Sequence, residues 1–82
     1  MKIGIWGFGV VGQSLFKYLA RQKNCELFVC DSKNLSDHAL LKNYQTSFVG
    51  DLATFLDQCD LIFPSPGVDL ATYQAYASKF KS

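Results

Sequence analysis

A glycine-rich hexapeptide, Gly7-Phe8-Gly9-Val10-Val11-Gly12, lies between an apolar run and a helical repeat, and this placement restricts the fold more than any other feature. Lys2 to Trp6 reads as a short strand that stops at Gly7. After the turn, Gly12, Leu15, Phe16 and Leu19 recur at i, i+3, i+4 and i+7, one face of a helix. In a strand–G-x-G-x-x-G–helix unit each glycine has its own physical reason. Gly7 permits the tight turn, Gly9 lets the backbone approach a diphosphate, and Gly12 lets the helix pack close to the strand. Free amides at the helix start would then face an anion. The helix dipole adds roughly 0.3 to 1 kcal/mol, enough to orient a phosphate but not to hold it alone.

Strand and helix signals alternate through the rest of the chain. Leu27 to Cys30 predicts a second strand ending at Asp31. Ser36 is a plausible cap for a helix carrying Leu40, Leu41 and Tyr44. Thr46 to Val49 predicts a third strand closed by Gly50, and Leu52, Phe55, Leu56 and Cys59 have helical spacing. Leu61 to Phe63 predicts a fourth strand, running into Pro64-Ser65-Pro66-Gly67. Leu70, Tyr73, Ala77 and Phe80 then fit one face of a last helix. Short strand–helix repeats imply parallel strands with right-handed crossovers. The expected fold class is therefore α/β: a Rossmann-like open parallel sheet of four strands with helices on both faces, and ligands at the carboxyl ends of the strands. Residues 1–82 are read as one such nucleotide-binding domain, the N-terminal fragment of a longer multidomain enzyme, because a further strand would normally cover the sheet edge left after the last helix.

Composition removes several alternatives. The formal charge is +1, with both signs interspersed, so no basic stripe draws nucleic acid. No stretch approaches the ~18 to 20 apolar residues that cross a bilayer, and the first residues lack the pattern of a signal peptide. Cys25, Cys30 and Cys59 are odd in number and lack metal-ligand spacing, which reads as small buried thiols in a reducing, cytoplasmic setting. His38 has no nucleophile at recognisable spacing and reads as a surface or capping residue. The aromatic residues fit core positions, with Phe8 in the loop able to brush a ligand. Lys79 and Lys81 read as a solvated helix end.

Asp31 lies 19 residues beyond Gly12, at the end of the second strand. A carboxylate there can accept hydrogen bonds from a ribose or from a base N–H, or it can simply cap the loop that follows. By spacing alone NAD fits as well as a uridine nucleotide.

Three segments taken together resemble the N-terminal domain of the Mur ligases, and within that family the branch that adds D-glutamate. They are Gly7-Phe8-Gly9-Val10-Val11-Gly12, Asp31-Ser32-Lys33, and Asp60-Leu61-Ile62-Phe63-Pro64-Ser65-Pro66-Gly67-Val68. The resemblance implies a domain that binds the UDP end of a UDP-sugar substrate, UDP-N-acetylmuramoyl-L-alanine. Diphosphate contacts would fall on Gly9, Val10, Val11 and Gly12 and uridine contacts on Asp31, Ser32, Lys33 and Gly67, with Gly7, Ser65 and Pro66 also among the UDP-binding residues. It further implies an ATP- and Mg2+-dependent ligase as the whole protein, with central and C-terminal domains as partners and no nucleic acid or membrane. Two departures stand out. Relatives often carry a hydroxyl or Lys in the glycine loop, where Val10 and Val11 offer only backbone donors, and Pro64 takes the place of a usual strand residue. No G-x-x-x-x-G-K-[ST] loop occurs in these residues, so no catalytic residue, cofactor or metal is expected within them. The competing expectations are an NAD(P)-binding domain of a dehydrogenase or redox regulator, and a stand-alone binding module.

Overall fold

A computed structural model describes residues 1–43 and 47–81. The elements run β1 (Lys2–Trp6), α1 (Val10–Leu19), β2 (Glu26–Cys30), α2 (Ala39–Lys42), β3 (Ser47–Phe48), α3 (Leu52–Gln58) and β4 (Leu61–Pro64). A 3₁₀ segment over Leu70–Lys79 follows. All pairings are parallel, in the order β3-β2-β1-β4. The protein is thus α/β with a parallel sheet. The expected four full strands are not all present: three have four or five residues, whereas β3 is a two-residue pairing of Ser47 and Phe48 with Phe28 and Val29. Thr46, the first residue of the expected third strand, lies outside the described residues.

The strands are apolar on both faces, as a sheet covered on both sides requires. Ile3 and Ile5 of β1 and Leu27 and Val29 of β2 join Phe8, Phe16, Leu19 and Leu41 in one cluster, against α1 and α2. The alternate residues Trp6, Cys30 and Ile62 join Phe55, Leu56 and Cys59 in the other, against α3 and the C-terminal segment. Phe16 and Phe55 are fully buried, one on each side. The loop residue Phe8 is also core, 5% exposed and edge-on to Phe16 at 5.6 Å, so its ring is a plug and not a ligand contact.

Three local expectations need correction. The second helix starts two residues later than a Ser36 cap predicts and has one turn. Asn34 Oδ1 accepts the Ser36 amide at 2.9 Å, and the His38 amide bonds Leu35 O, so residues 34–38 are spent in turns. His38 is the actual cap, its Nδ1 accepting the Leu40 amide at 3.2 Å. Tyr44 lies outside the described residues.

The final segment is not an α-helix. Its half-buried residues are Leu70, Tyr73, Tyr76 and Lys79, a repeat of three, which is the period of 3₁₀ geometry. The backbone leaves helical angles at Tyr73 (φ −116°, ψ 37°), whose ring stands edge-on to Trp6 at 5.1 Å. Lys79 is not a solvated end either. Its Nζ donates to the carbonyls of Leu56 and Asp57, at 2.8 and 3.0 Å, closing the C-terminal turn of α3, while Tyr76 Oη donates to Asp57 Oδ1. Beyond it Phe80 forms a parallel bridge with Ile62, so the edge of β4 is partly covered.

Candidate functional site

Parallel pairing of β2, β1 and β4 brings the loops after all three strands to one rim. The glycine turn is held from both sides: the Gly7 amide bonds Cys30 O and the Ser65 amide bonds Trp6 O, both at 2.8 Å. Gly7 has φ +96°, a region that disfavours side chains. Gly12 is needed for a different reason, since a Cβ there would stand 2.2 Å from Gly7 O. At Gly9 and Gly67 an added Cβ would meet nothing within 4 Å, so their faces are open.

Gly9 caps α1 without a side-chain bond, and the first helical bond is Gln13 N to Gly9 O at 2.9 Å. The amides of Val10, Val11 and Gly12 therefore have no acceptor within the helix. The side chains of Val10 and Val11 are 84% and 67% exposed, an unusual state for valine.

Asp31 ties two of the three loops together. Oδ2 accepts the Phe8 amide of the glycine loop at 2.7 Å, and Oδ1 accepts the Lys33 amide at 3.0 Å and the Ser32 hydroxyl at 3.4 Å. Burial alone would raise its pKa, but the amides of Lys33 and Phe8, the Ser32 hydroxyl and the Lys33 charge outweigh it and hold the carboxyl below its ordinary value. Of roughly four acceptor directions on a carboxylate, three are used, and the free one is on Oδ2.

A cleft of about 290 Å³ opens between these loops, lined by Trp6, Gly7, Asp31, Ser32, Ser65, Gly67 and Val68. A second cavity of about 260 Å³ sits between Gly7, Val11, Gly12 and Ser65, with Lys81 at its wall. A third, of about 500 Å³, is lined by Val11, Ser65, Pro66, Val68 and Lys81 among others. The residues expected from the sequence are thus divided. Gly7, Asp31, Ser32, Ser65 and Gly67 share the first cleft, Val11 and Gly12 line the second, and Pro66 lines the third. Gly9, Val10 and Lys33 line none of the three. Pro64 stays in register opposite Trp6, and the Val68 amide closes the following turn onto Ser65 O at 3.1 Å. Trp6, Val68 and Lys81 were not anticipated. Trp6 and Val68 flank motif residues, a signal that proximity in sequence could have supplied, whereas Lys81 reaches the rim only through the fold of the C-terminal segment.

Among the described residues no helix is long and apolar enough to cross a membrane. Cys30 and Cys59 are buried, and burial raises both thiols, Cys59 to about 11, so neither is a ready thiolate.

Fold and rim together define a small parallel α/β domain with three loops converging on one cleft. The chain belongs to the MurD N-terminal domain family, whose family model matches residues 2–73. It is 32% identical over 71 residues to a UDP-N-acetylmuramoylalanine–D-glutamate ligase of Thermotoga petrophila, covering 83% of this chain and 16% of that protein. It is 33% identical over 72 residues to the ligase of the same name from Thermotoga sp. strain RQ2, with the same coverage of 83% and 16%. The chain therefore spans about one sixth of the length of these curated relatives.

Proposed function

We propose that this chain is the Rossmann-like UDP-binding domain of a cytoplasmic D-glutamate-adding ligase of peptidoglycan synthesis. It anchors UDP-N-acetylmuramoyl-L-alanine by its UDP end, while central and C-terminal domains supply ATP, Mg2+ and the amino acid. These residues alone are inert, and their contribution is positioning. Family membership and the names of the relatives support the substrate.

The observation that carries the reading is the cleft that Gly7, Asp31, Ser32, Ser65 and Gly67 share although they come from three separate loops. The uracil ring occupies that cleft, and the diphosphate lies on the amides of Gly9, Val10, Val11 and Gly12 with Lys33 and Pro66 at the margins. The acceptor count on Asp31 supports a uridine over a nicotinamide dinucleotide. One free direction suits a single donor such as a base N–H. The paired hydroxyls of a dinucleotide ribose would have to displace Ser32 or the Lys33 amide.

Titration of this chain with UDP-N-acetylmuramoyl-L-alanine and, separately, with NADH tests the reading. The expected result is saturable shifts of the Gly9, Gly12, Asp31 and Gly67 amide resonances with the first ligand and none with the second. Tighter binding of NADH overturns the assignment.

A further inference from the structure

The glycine loop carries no side chain able to meet the charge of a diphosphate: Val10 and Val11 project into solvent and offer only their amides. Backbone donors and a helix dipole orient an anion but supply no full countercharge. The C-terminal segment brings one to the same place. Lys81 is the one charged side chain among the residues lining the cavity beside Gly7 and Gly12. It is also the one charged residue lining the neighbouring cavity between Val11, Pro66 and Val68. Among the described residues no carboxylate lines either space to neutralise it.

Its backbone is not free to wander. The Lys81 amide donates to Ile62 O at 2.8 Å, next to the Phe80–Ile62 bridge, and the Phe80 ring lies 6.1 Å from that of Trp6. The anchor is thus in the sheet while the ammonium end remains exposed, the arrangement of a long side chain that can reach a ligand and keep its head in water.

We propose that Lys81 is the countercharge for the diphosphate in this chain, taking over from another element the part that a cationic loop residue would play. The inference rests on the UDP reading above. It makes Lys81 a specificity-determining residue, favouring ligands by the number of phosphates they carry and not by their base.

The test compares UDP with uridine, by amide-resonance titration of this chain and of Lys81→Met and Lys81→Arg. Met keeps the backbone pairing and most of the stem, and unchanged far-ultraviolet circular dichroism checks that the fold is kept. Lys81→Met is expected to weaken UDP binding about two- to fivefold, the range for an exposed charge contact. Uridine binding stays the same, Lys81→Arg retains UDP affinity, and the salt dependence of UDP binding flattens in the Met variant. UDP affinity unchanged in Lys81→Met, or an equal loss for UDP and uridine, overturns the role of Lys81 and leaves the UDP site standing. A wild-type chain that binds neither ligand removes the UDP reading, and this inference with it.

Discussion

The two ends of the chain reach the same rim by opposite means. The glycine loop and α1 are built from local rules: a positive-φ glycine for the turn, a bare helix start, and a 3.6-residue stripe of Gly12, Phe16 and Leu19 laid on β1. The segment from Ser65 to Lys79 follows few such rules. It has no fully buried residue between Leu70 and Lys79, and it is held by what it touches: the carbonyls of α3 through Lys79, Asp57 through Tyr76, and the Trp6 ring through Tyr73. The first region should therefore fail through its backbone, in an all-or-none way. The second should loosen by degrees.

The sharpest way to break the first region is Gly12→Ala. A methyl group 2.2 Å from Gly7 O cannot escape by rotating, so helix and turn must separate. Overpacking of this kind costs about 1 to 3 kcal/mol, and here the obstacle is backbone, which favours the upper end. Alanine recovers roughly 1 kcal/mol of helix propensity, which does not offset it. A net loss near 2 kcal/mol should lower the midpoint of thermal unfolding by about 8 to 16 °C in a domain of this size. Gly9→Ala makes the contrast: with nothing within 4 Å of the new methyl group, stability should change by less than about 1 kcal/mol while UDP binding weakens. Similar melting temperatures for the two variants would mean that the close approach at Gly12 is not what holds the turn.

This difference also decides what was legible in the residues. The glycine turn, the strands and α3 could be read because each signal is local: a motif, an apolar run, and the helical spacing of Leu52, Phe55, Leu56 and Cys59, to which the structure adds an Asp51 cap that accepts both the amide and hydroxyl of Thr54. The C-terminal segment was misread because its sequence fits two periods at once. Leu70, Tyr73, Ala77 and Phe80 suit an α-helix, while Leu70, Tyr73, Tyr76 and Lys79 suit three residues per turn. Partners on α3, distant in sequence, decide between them. The same holds for the candidate site. Gly7, Asp31, Ser65 and Gly67 stand out from their motifs, but the presence of Lys81 depends on the bridge between Phe80 and Ile62.

Lys79→Met probes the second region and should have a smaller effect. It removes two charge-assisted bonds to the α3 carbonyls, one of them part-buried, and a contact over the Tyr76 ring at 5.7 Å. Because the other partners of the segment remain, a loss of about 1 kcal/mol is expected by urea unfolding. Faster hydrogen exchange should be confined to residues 70–81 and the last turn of α3. A global loss of protection would show that this segment is as integral as α1.

The smallest expected effect lies at the edge of the first region, where Asp31 ties the glycine loop to the loop after β2. Its pKa is lowered in the folded chain, so its stabilising contribution is present above the ordinary value of 3.8 and is lost as pH falls below that value through the folded pKa. Asp31→Asn should therefore lower the urea midpoint at pH 7, and the gap from wild type should close as pH falls below the ordinary carboxyl value of 3.8. Asp51 is lowered too, by the hydroxyl and amide of Thr54, and adds an acid slope of the same sign. Asp51→Asn is the control, because it alters that slope without touching the glycine loop. A gap for Asp31→Asn that stays constant across the acid range below pH 3.8 would mean that the carboxylate charge does not bind the Phe8 amide in place. The tie between the glycine loop and the acidic loop would then be one of shape, and the free direction on Oδ2 would lose its force as an argument for a base N–H.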